Sequence, residues 1–505
     1  MSFKIAFRVD SSPGIGIGHI MRCLTLAETL RDSGAECLFV CRNHAGNSSH
    51  LARERGFGVE LLETGSAVRS ETWLGVTQAI DANQTCAVLE NEAADWLVVD
   101  HYAIDAEWET AVRKRFPDLK LMVIDDRVNR PHDCHLLLDQ TAGRQAGDYR
   151  GLVNAETCIL AGTDHAMLRS RFRELREQKA FAGQQPETTV FVFLGGGENG
   201  SVLERVLDGL EAVAGKHPIA VSVVAGADHA RLKQGRETSG YRLELLGFAG
   251  DVAERMAHAT INIGACGTAT WERCCLGAAS VVMSLADNQE EIFSILDREQ
   301  AALCVPPVDT AICEAVEKLV TDQELRQRIS GNAARLCDGR GAQRVAHKLL
   351  SMSIVMRRAD EDDARFIHEA RYAGDASRYY RNSAIPSYDE HVGWYRKALG
   401  DDARIFLIAE LAGEAVGQVR FDRFADRPDH AEIGIAVHEI WRGRKIGTPM
   451  LEAAMKSALH SGISTIHAEV HPENRASARM FEKAGFKPAK SADENMLRFE
   501  WHSAG

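Results

Sequence analysis

Arg8-Val9-Asp10-Ser11-Ser12-Pro13-Gly14-Ile15-Gly16-Ile17-Gly18-His19-Ile20-Met21-Arg22 decides how the first part of this chain folds. An apolar run, Phe3 to Phe7, precedes it and reads as a short buried strand. Ile20, Leu24, Ala27 and Leu30 follow at helical spacing and mark one face of a helix. The stretch is therefore a strand, a glycine-rich loop and a helix start. Glycines let the backbone approach a ligand closely, and a helix N-terminus offers unpaired N–H donors to anions. His19 is expected at or just before the first helical turn, where the dipole disfavours the imidazolium and keeps the ring neutral, as a general base requires. A packing loop with a surface histidine is the competing reading of the same residues.

Beyond this stretch, short apolar runs alternate with helical patterns up to about residue 165. The expected strands are Phe3–Phe7, Cys37–Cys41, Val59–Leu62, Trp96–Val99, Leu121–Ile124 and Leu136–Leu138. Near-continuous apolar strands separated by helices imply a parallel sheet covered on both faces, with ligands at the carboxyl ends of its strands. Asp100-His101-Tyr102 and Asp125-Asp126-Arg127 fall at such ends. They read either as helix-capping aspartates or as a polar rim around a ligand.

The first of these stretches carries a resemblance. Arg8-Val9-Asp10, Gly16-Ile17-Gly18-His19 and Arg22-Cys23-Leu24 resemble the opening of the UDP-2,4-diacetamido-2,4,6-trideoxy-β-L-altropyranose hydrolases of pseudaminic acid synthesis, and the likeness runs to about residue 350. It implies that His19 is the base that activates water against the anomeric carbon of a UDP-sugar. It also implies that Arg8, Asp10, Gly18 and Tyr102 line the sugar site.

Residues 173 to 189 are polar and interrupted by Gly183 and Pro186, and read as a helix end and linker. A second alternating set follows: Thr189–Leu194, Ile219–Val224, Leu243–Leu246, Thr260–Ile263, Ser280–Met283 and Leu303–Val305. Gly195-Gly196-Gly197-Glu198-Asn199 and Gly264-Ala265-Cys266-Gly267-Thr268 are two glycine loops at helix starts, both candidate phosphate cradles. The order loop, Glu272, then Asn288-Gln289 resembles the nucleotide-binding half of GT-B glycosyltransferases and of the same hydrolases. That implies ribose binding by Glu272, a cleft lined by Asn288 and Gln289, and UDP contacts from Gly196, Gly197, Asn199, Gly267 and Thr268. The first loop departs from the family's usual Gly-Gly-Ser/Cys-Asp in having Gly197-Glu198.

From Ile354 the character changes. A strand and an acidic helix start at Asp360 are followed by a hairpin pair, Ile405–Ala409 and Val416–Phe421, around Ala412-Gly413-Glu414. Glu432–Val437 and Thr465–Val470 are further strands, and Arg442-Gly443-Arg444-Lys445-Ile446-Gly447-Thr448 opens a helix. This order resembles the GNAT N-acetyltransferases over nearly all of residues 354–501. The resemblance implies acetyl-CoA as co-substrate, with Val437, Arg442, Arg444, Lys445, Gly447, Thr448 and Asn474 holding it. Glu432 and His391 are candidates for taking the amine proton or holding the sugar, Glu432 being assigned the first and His391 the second; a core or surface histidine is the competing reading of His391. Lys445 stands where the usual loop has its first glycine, and Phe481 stands where the family often has a proton-donating tyrosine.

Bulk properties bound the rest. A chain of 505 residues is expected to form about two to four domains; the patterns above give three, at residues 1–172, 186–352 and 354–505. The fold class is α/β: two Rossmann-like lobes in a GT-B-type arrangement, then a GNAT α/β domain. A net charge of −13 argues against nucleic acid and anionic membrane as partners. No apolar stretch reaches about 18 residues, and no signal-peptide pattern opens the chain. All 12 cysteines lie between Cys23 and Cys337 with no Cys-x-x-Cys pair, so reduced thiols in a cytoplasmic protein are expected, without a zinc site or other metal. The expected activity is twofold: hydrolysis of the UDP-diacetamido-trideoxy sugar, and N-acetylation of the 4-amino group of its UDP-sugar precursor. A GT-B glycosyltransferase with a non-catalytic GNAT-like binding module is the alternative.

Overall fold

The structure is a computed structural model that describes residues 3–64, 73–178, 188–195, 199–235, 241–379, 384–490, 493 and 495–503. It divides into two compact units. One comprises Lys4–Glu28 and Cys37–Val345; the other comprises Met1–Phe3, Thr29–Glu36 and Ala346–Gly505.

The larger unit contains two sheets. The first is built from β1 (Lys4–Val9), β2 (Glu36–Arg42), β3 (Gly58–Leu62), β4 (Trp96–Asp100), β5 (Lys120–Ile124), β6 (Leu136–Asp139) and β7 (Cys158–Ala161). Their spatial order is β3-β2-β1-β4-β5-β6-β7. β1 and β4 are parallel neighbours, Ile5 opposite Trp96 through to Val9 opposite Asp100. The chain leaves β1 towards one edge and returns at β4 to build the other, so the crevice at their carboxyl ends is the topological switch point. β4 and β6 are wholly buried, as strands covered on both faces must be. β7 was not among the expected strands; it is half-buried, and its apolar run is only four residues long.

The second sheet is built from β8 (Thr188–Phe193), β9 (Ile219–Val224), β10 (Arg242–Leu246), β11 (Ile261–Ala265), β12 (Ser280–Met283) and β13 (Leu303–Cys304), in the order β10-β9-β8-β11-β12-β13. Its pairings are parallel. The switch point lies between β8 and β11, where the two glycine loops emerge. Ala166, Leu168, Phe172 and Leu175 share a core cluster with Trp271, Cys275 and Leu296. The helix Ser170–Gln178 therefore packs on the second lobe although it follows the first in sequence. The helix Gly341–Ser353 starts against the segment that leads into that helix: a Cβ on Gly341 would run into the Ala166 backbone, so only glycine fits there.

The smaller unit is a mixed sheet of β14 (Val355–Arg358), β15 (Arg404–Leu411), β16 (Glu414–Phe424), β17 (Arg427–Val437), β18 (Thr465–Val470), β19 (Lys487–Ala489) and β20 (Leu497–His502), in the order β14-β15-β16-β17-β18-β20-β19. β15 and β16 join through Ala412 and Gly413, both at positive φ (51° and 74°), which suits a two-residue hairpin turn. β17 and β18 are parallel but pair at only three positions, His430 to Glu432 against Thr465 to His467. Beyond Glu432 the two strands part.

Candidate active sites

In the larger unit, β1 ends in a loop that closes on itself: Gly16 N–H donates to the Ser12 carbonyl (2.7 Å) and Ile15 N–H to its hydroxyl (3.1 Å), with Gly16 at φ 80°. The helix begins at Gly18, so His19 lies in its first turn. β4, the neighbour of β1, ends at Asp100. Its buried carboxylate accepts from His19 Nδ1 at 2.6 Å. Arg22, one helical turn on, donates to both Asp100 oxygens, from Nε and from Nη2, each at 2.6 Å. It also donates to Asp126 at 3.1 Å. Burial alone would raise Asp100, but the charges and hydrogen bonds of Arg22 and His19 hold it well below the usual carboxylate range. It is thus a fixed anion that takes the hydrogen on Nδ1, which leaves the lone pair on Nε2. Tyr102 donates to Asp126 at 2.6 Å and its ring lies 4.7 Å from that of His19. Burial and Asp126 push the Tyr102 phenol up, so it stays protonated.

Arg8 and Asp10 take a different place from the one expected. Arg8 is fully buried and chelates Asp10 (2.6 and 2.9 Å) and Asp81 (2.6 and 3.0 Å). Trp108 Nε1 donates to Asp81 at 3.0 Å, and the Arg42 side chain reaches the same carboxylate. Asp10 also accepts from the Arg42 backbone N–H at 2.6 Å, and His101 Nε2 stands 3.3 Å from it. With no exposed surface, Arg8 braces the floor of the glycine loop and does not reach a ligand. Two buried guanidiniums need buried carboxylates, and the sequence around residue 8 shows only one of them.

In the second lobe, Gly267 and Thr268 precede the helix Ala269–Leu276. Arg273 braces this loop from beneath, donating to the Ala265 carbonyl at 2.6 Å. A Cβ on Gly264 would meet its guanidinium. Glu272 lies in the first turn of that helix, and Arg169 Nη2 stands 3.6 Å from its carboxylate. Burial raises the Glu272 pKa, with Arg169 and Arg273 opposing. Asn199 stands at the N-cap of the helix Gly200–Ala214; Gly196 and Gly197 lie outside the described residues. Asn288 and Gln289 form a turn, in which Gln289 Oε1 accepts from Leu285 N–H at 3.0 Å. Phe248, 85% exposed, follows β10. No pattern in the sequence marks it.

In the smaller unit, the loop Arg442–Gly447 enters the helix Gly447–His460. Gly443 (φ 79°) and Lys445 (φ 60°) are both left-handed. Lysine therefore occupies a conformation that favours glycine, at a cost of about 1–2 kcal/mol. Arg444 lies over the Trp441 ring, 5.2 Å from its centre. Arg442 turns away from the loop's mouth. Each of its three nitrogens donates to a carbonyl, of Val437 (3.0 Å), Ala373 (2.8 Å) and Ala370 (2.9 Å), so it ties the loop to the helix Ala364–Tyr372. Gly447 fits between Met480 and Val437: a Cβ there would lie 3.0 Å from the Met480 sulfur. Thr448 follows it in the helix and is half-buried. Asn474 caps the helix Arg475–Lys483, accepting from Ser477 N–H at 3.1 Å. Phe481 is buried, its ring 5.0 Å from Phe486 and 6.3 Å from Phe499, and belongs to the core.

Glu432 sits where β17 and β18 part, opposite Asp422 on one side and His467 on the other. His391 lines a cavity of about 260 Å³ with Arg371, Tyr372, Pro386, Glu390 and Trp394. The His391 ring is 1% exposed, its Nε2 has no hydrogen-bond partner, and burial, with His368 and Arg371 nearby, lowers its pKa to about 4. Among the described residues, no group of three or more His, Cys, Asp or Glu is placed to hold a metal ion, and no helix is long and apolar enough to cross a membrane.

Residues 353–487 match the model of the acetyltransferase (GNAT) domain family. Over 193 residues the chain is 28% identical to the UDP-2,4-diacetamido-2,4,6-trideoxy-β-L-altropyranose hydrolase of Campylobacter jejuni; the match covers 38% of this chain and 60% of that enzyme, less than two thirds of its length. An uncharacterised protein of Methanocaldococcus jannaschii is 20% identical over 511 residues, covering 98% of this chain and 99% of that one. A candidate UDP-N-acetylglucosamine 2-epimerase of Listeria monocytogenes superposes with a TM-score of 0.50 at 11% identity, over 70% of this chain and 97% of that one, which is a likeness of fold alone. The chain thus resembles the UDP-diacetamido-trideoxy-altropyranose hydrolase in its N-terminal region, within a GT-B-type pair of α/β lobes, and carries a GNAT acetyltransferase domain in its C-terminal region.

Proposed function

We propose that the larger unit hydrolyses a UDP-linked 2,4-diacetamido-2,4,6-trideoxy sugar and that the GNAT domain N-acetylates the 4-amino group of its UDP-sugar precursor. The hydrolase reading rests above all on one observation, the His19–Asp100–Arg22 array at the β1/β4 switch point. With Asp100 holding Nδ1–H, His19 Nε2 accepts a proton from water. The water oxygen bonds to the anomeric carbon, the bond from that carbon to the UDP oxygen breaks, and UDP departs with the electron pair. Backbone N–H groups at the second lobe's loops receive the diphosphate, Glu272 accepts the ribose hydroxyls, and exposed Phe248 offers a face to the base.

For acetyl transfer, the parting of β17 and β18 and the left-handed loop 443–445 suit the arm and pyrophosphate of acetyl-CoA. The amine nitrogen attacks the thioester carbonyl, the C–S bond breaks, and Glu432 takes the amine proton. The thiolate of CoA leaves without a tyrosine at position 481. The cavity at His391 is smaller than the roughly 300–1,000 Å³ of a drug-sized pocket. It suits one sugar ring and not a whole nucleotide sugar. Its rings, Tyr372, His391 and Trp394, offer faces to a sugar ring, and the Glu390 carboxylate offers an acceptor to its amino group.

Mass spectrometry of products tests both halves. The UDP-4-amino sugar with acetyl-CoA should yield the N-acetylated sugar and UDP, and without acetyl-CoA it should remain unconverted. Acetylated UDP-sugar that accumulates without UDP release would sink the hydrolase half; UDP release with no acetyl product would sink the transferase half.

A further inference from the structure

Trp73 is a large apolar side chain left 38% exposed beside His19. Its ring centre lies 6.0 Å from that of His19, edge-on, and 5.2 Å from that of Tyr102, tilted by 34°. The exposure is not that of a loose chain. Leu74 and Val76, immediately after it, are 2% and 5% exposed and belong to the first lobe's core. Gly75, between them, is at φ 71°, and a Cβ there would come within 3.0 Å of His44. Thr77 then caps the helix Gln78–Glu92, the helix that carries Asp81 of the buried arginine network. The backbone thus fixes an indole at the mouth of the site, where it packs against Tyr102 yet is not enclosed. Behind Tyr102 stand Arg127 and Arg130, 5.3 and 5.8 Å from its ring centre, which keep that ring in place.

Covering that indole with an apolar ligand face removes its surface from water and is favourable. A pyranose ring has one face of C–H groups, and a 6-deoxy sugar adds a methyl group. We propose that Trp73 is the platform on which the sugar ring of the nucleotide sugar lies while His19 activates water, and that it selects a deoxygenated hexose by contact with its apolar face. This rests on the hydrolase reading, and the two are separable by experiment.

The measurement is calorimetric binding of the UDP-diacetamido-trideoxy sugar, and of UDP alone, to His19→Asn protein, which does not turn over. Adding Trp73→Ala should weaken sugar-nucleotide binding roughly ten-fold and leave UDP binding unchanged, while Trp73→Phe should retain most of it. Equal affinity for the sugar nucleotide with and without Trp73→Ala overturns the platform, as does a parallel loss of UDP affinity. Failure of the unmutated protein to release UDP from the sugar nucleotide would overturn the hydrolase reading whatever the binding data say.

Discussion

Asp100 governs which nitrogen of His19 carries the hydrogen, because its carboxylate has no proton to give and Arg22 fixes both of its oxygens. Asp100→Asn keeps the shape but presents an amide that is able to donate to Nδ1 and move the hydrogen to Nε2. UDP release should then fall by about 10²–10⁴ in kcat with KM little changed; a kcat within a factor of two of the native value would remove Asp100 from the mechanism. His391 gives a prediction of another kind. Its folded pKa, near 4, lies below the ordinary histidine value of 6.5, so the unfolded chain binds the extra proton first. The stability it lends the smaller unit is complete above about pH 6.5 and is lost as the pH falls towards 4, on the order of 1–3 kcal/mol. Thermal unfolding of His391→Phe protein should lack that slope; an unchanged pH profile would contradict it. At this scale the sequence was readable where chemistry is local, as at His19 in its loop. It was unreadable where the partner is distant. Nothing near Arg8 announces Asp81, and without Asp81 a buried brace looks the same as a ligand contact. Likewise the three carbonyls that occupy Arg442 come from two other segments.

Elements with long apolar runs were legible to within a residue or two. Ile219–Val224, Ser280–Met283 and Thr465–Val470 agree at both ends with the expected strands. Those missed are β7, β19 and β20: β7 is an apolar run of only four residues and β19 a strand of three, while β20 does alternate, Leu497, Phe499 and Trp501 against Arg498, Glu500 and His502, and was legible but not read. The loop Arg442–Gly447 shows what a motif departure means physically. Lys445 retains the backbone shape of the glycine it replaces, at φ 60°. Lys445→Gly should raise the smaller unit's stability by about 1 kcal/mol by relieving that strain, while losing a cation for the pyrophosphate and raising the KM for acetyl-CoA several-fold. Lower stability, read by thermal melting, would mean the lysine side chain is doing more than the backbone costs. At the other unit's helix start, Gly341→Ala forces a methyl group into the Ala166 backbone and should destabilise by about 1–3 kcal/mol or more in denaturant unfolding; a neutral effect would show that this helix end is free to shift.

Across the whole molecule, buried carboxylates and buried imidazoles answer acid in different pH windows. Asp10, Asp81, Asp100 and Asp126 of the larger unit are all held below the usual carboxylate range: burial opposes ionisation, and Arg8 or Arg22 more than reverses it. A depressed carboxylate stabilises fully above its unfolded value near 3.9 and loses that contribution as the pH falls towards the folded one. These carboxylates therefore cost stability only below about pH 4, whereas His101, His135 and His165 of the same unit, held below the ordinary histidine value chiefly by burial, draw stability down once the pH falls below about 6.5, as His391 does in the smaller unit. Calorimetry should show the melting temperatures of both units falling between about pH 6.5 and 4.5; a larger unit whose transition stays level across this range would refute the histidine part of the argument. The division into hydrolase-like and acetyltransferase-like parts was legible from the change of pattern at Ile354. The helix Ser170–Gln178 was not legible as part of the second lobe's core, since its contacts with Trp271 and Cys275 span about a hundred residues.

One seam in the smaller unit is left unfinished. After Glu432, β17 runs on for five residues and β18 for three past His467 with no pairing between the two strands, so the gap between their facing margins has room for a third strand-like partner. An extended chain bearing amide groups, such as the pantetheine arm of a coenzyme, has the matching donors and acceptors. Deuterium uptake at residues 433–437 and 468–470 thus becomes a gauge of occupancy: swift on the facing margins when empty, slowed together when the gap is filled, and indifferent to any sugar nucleotide held in the other unit.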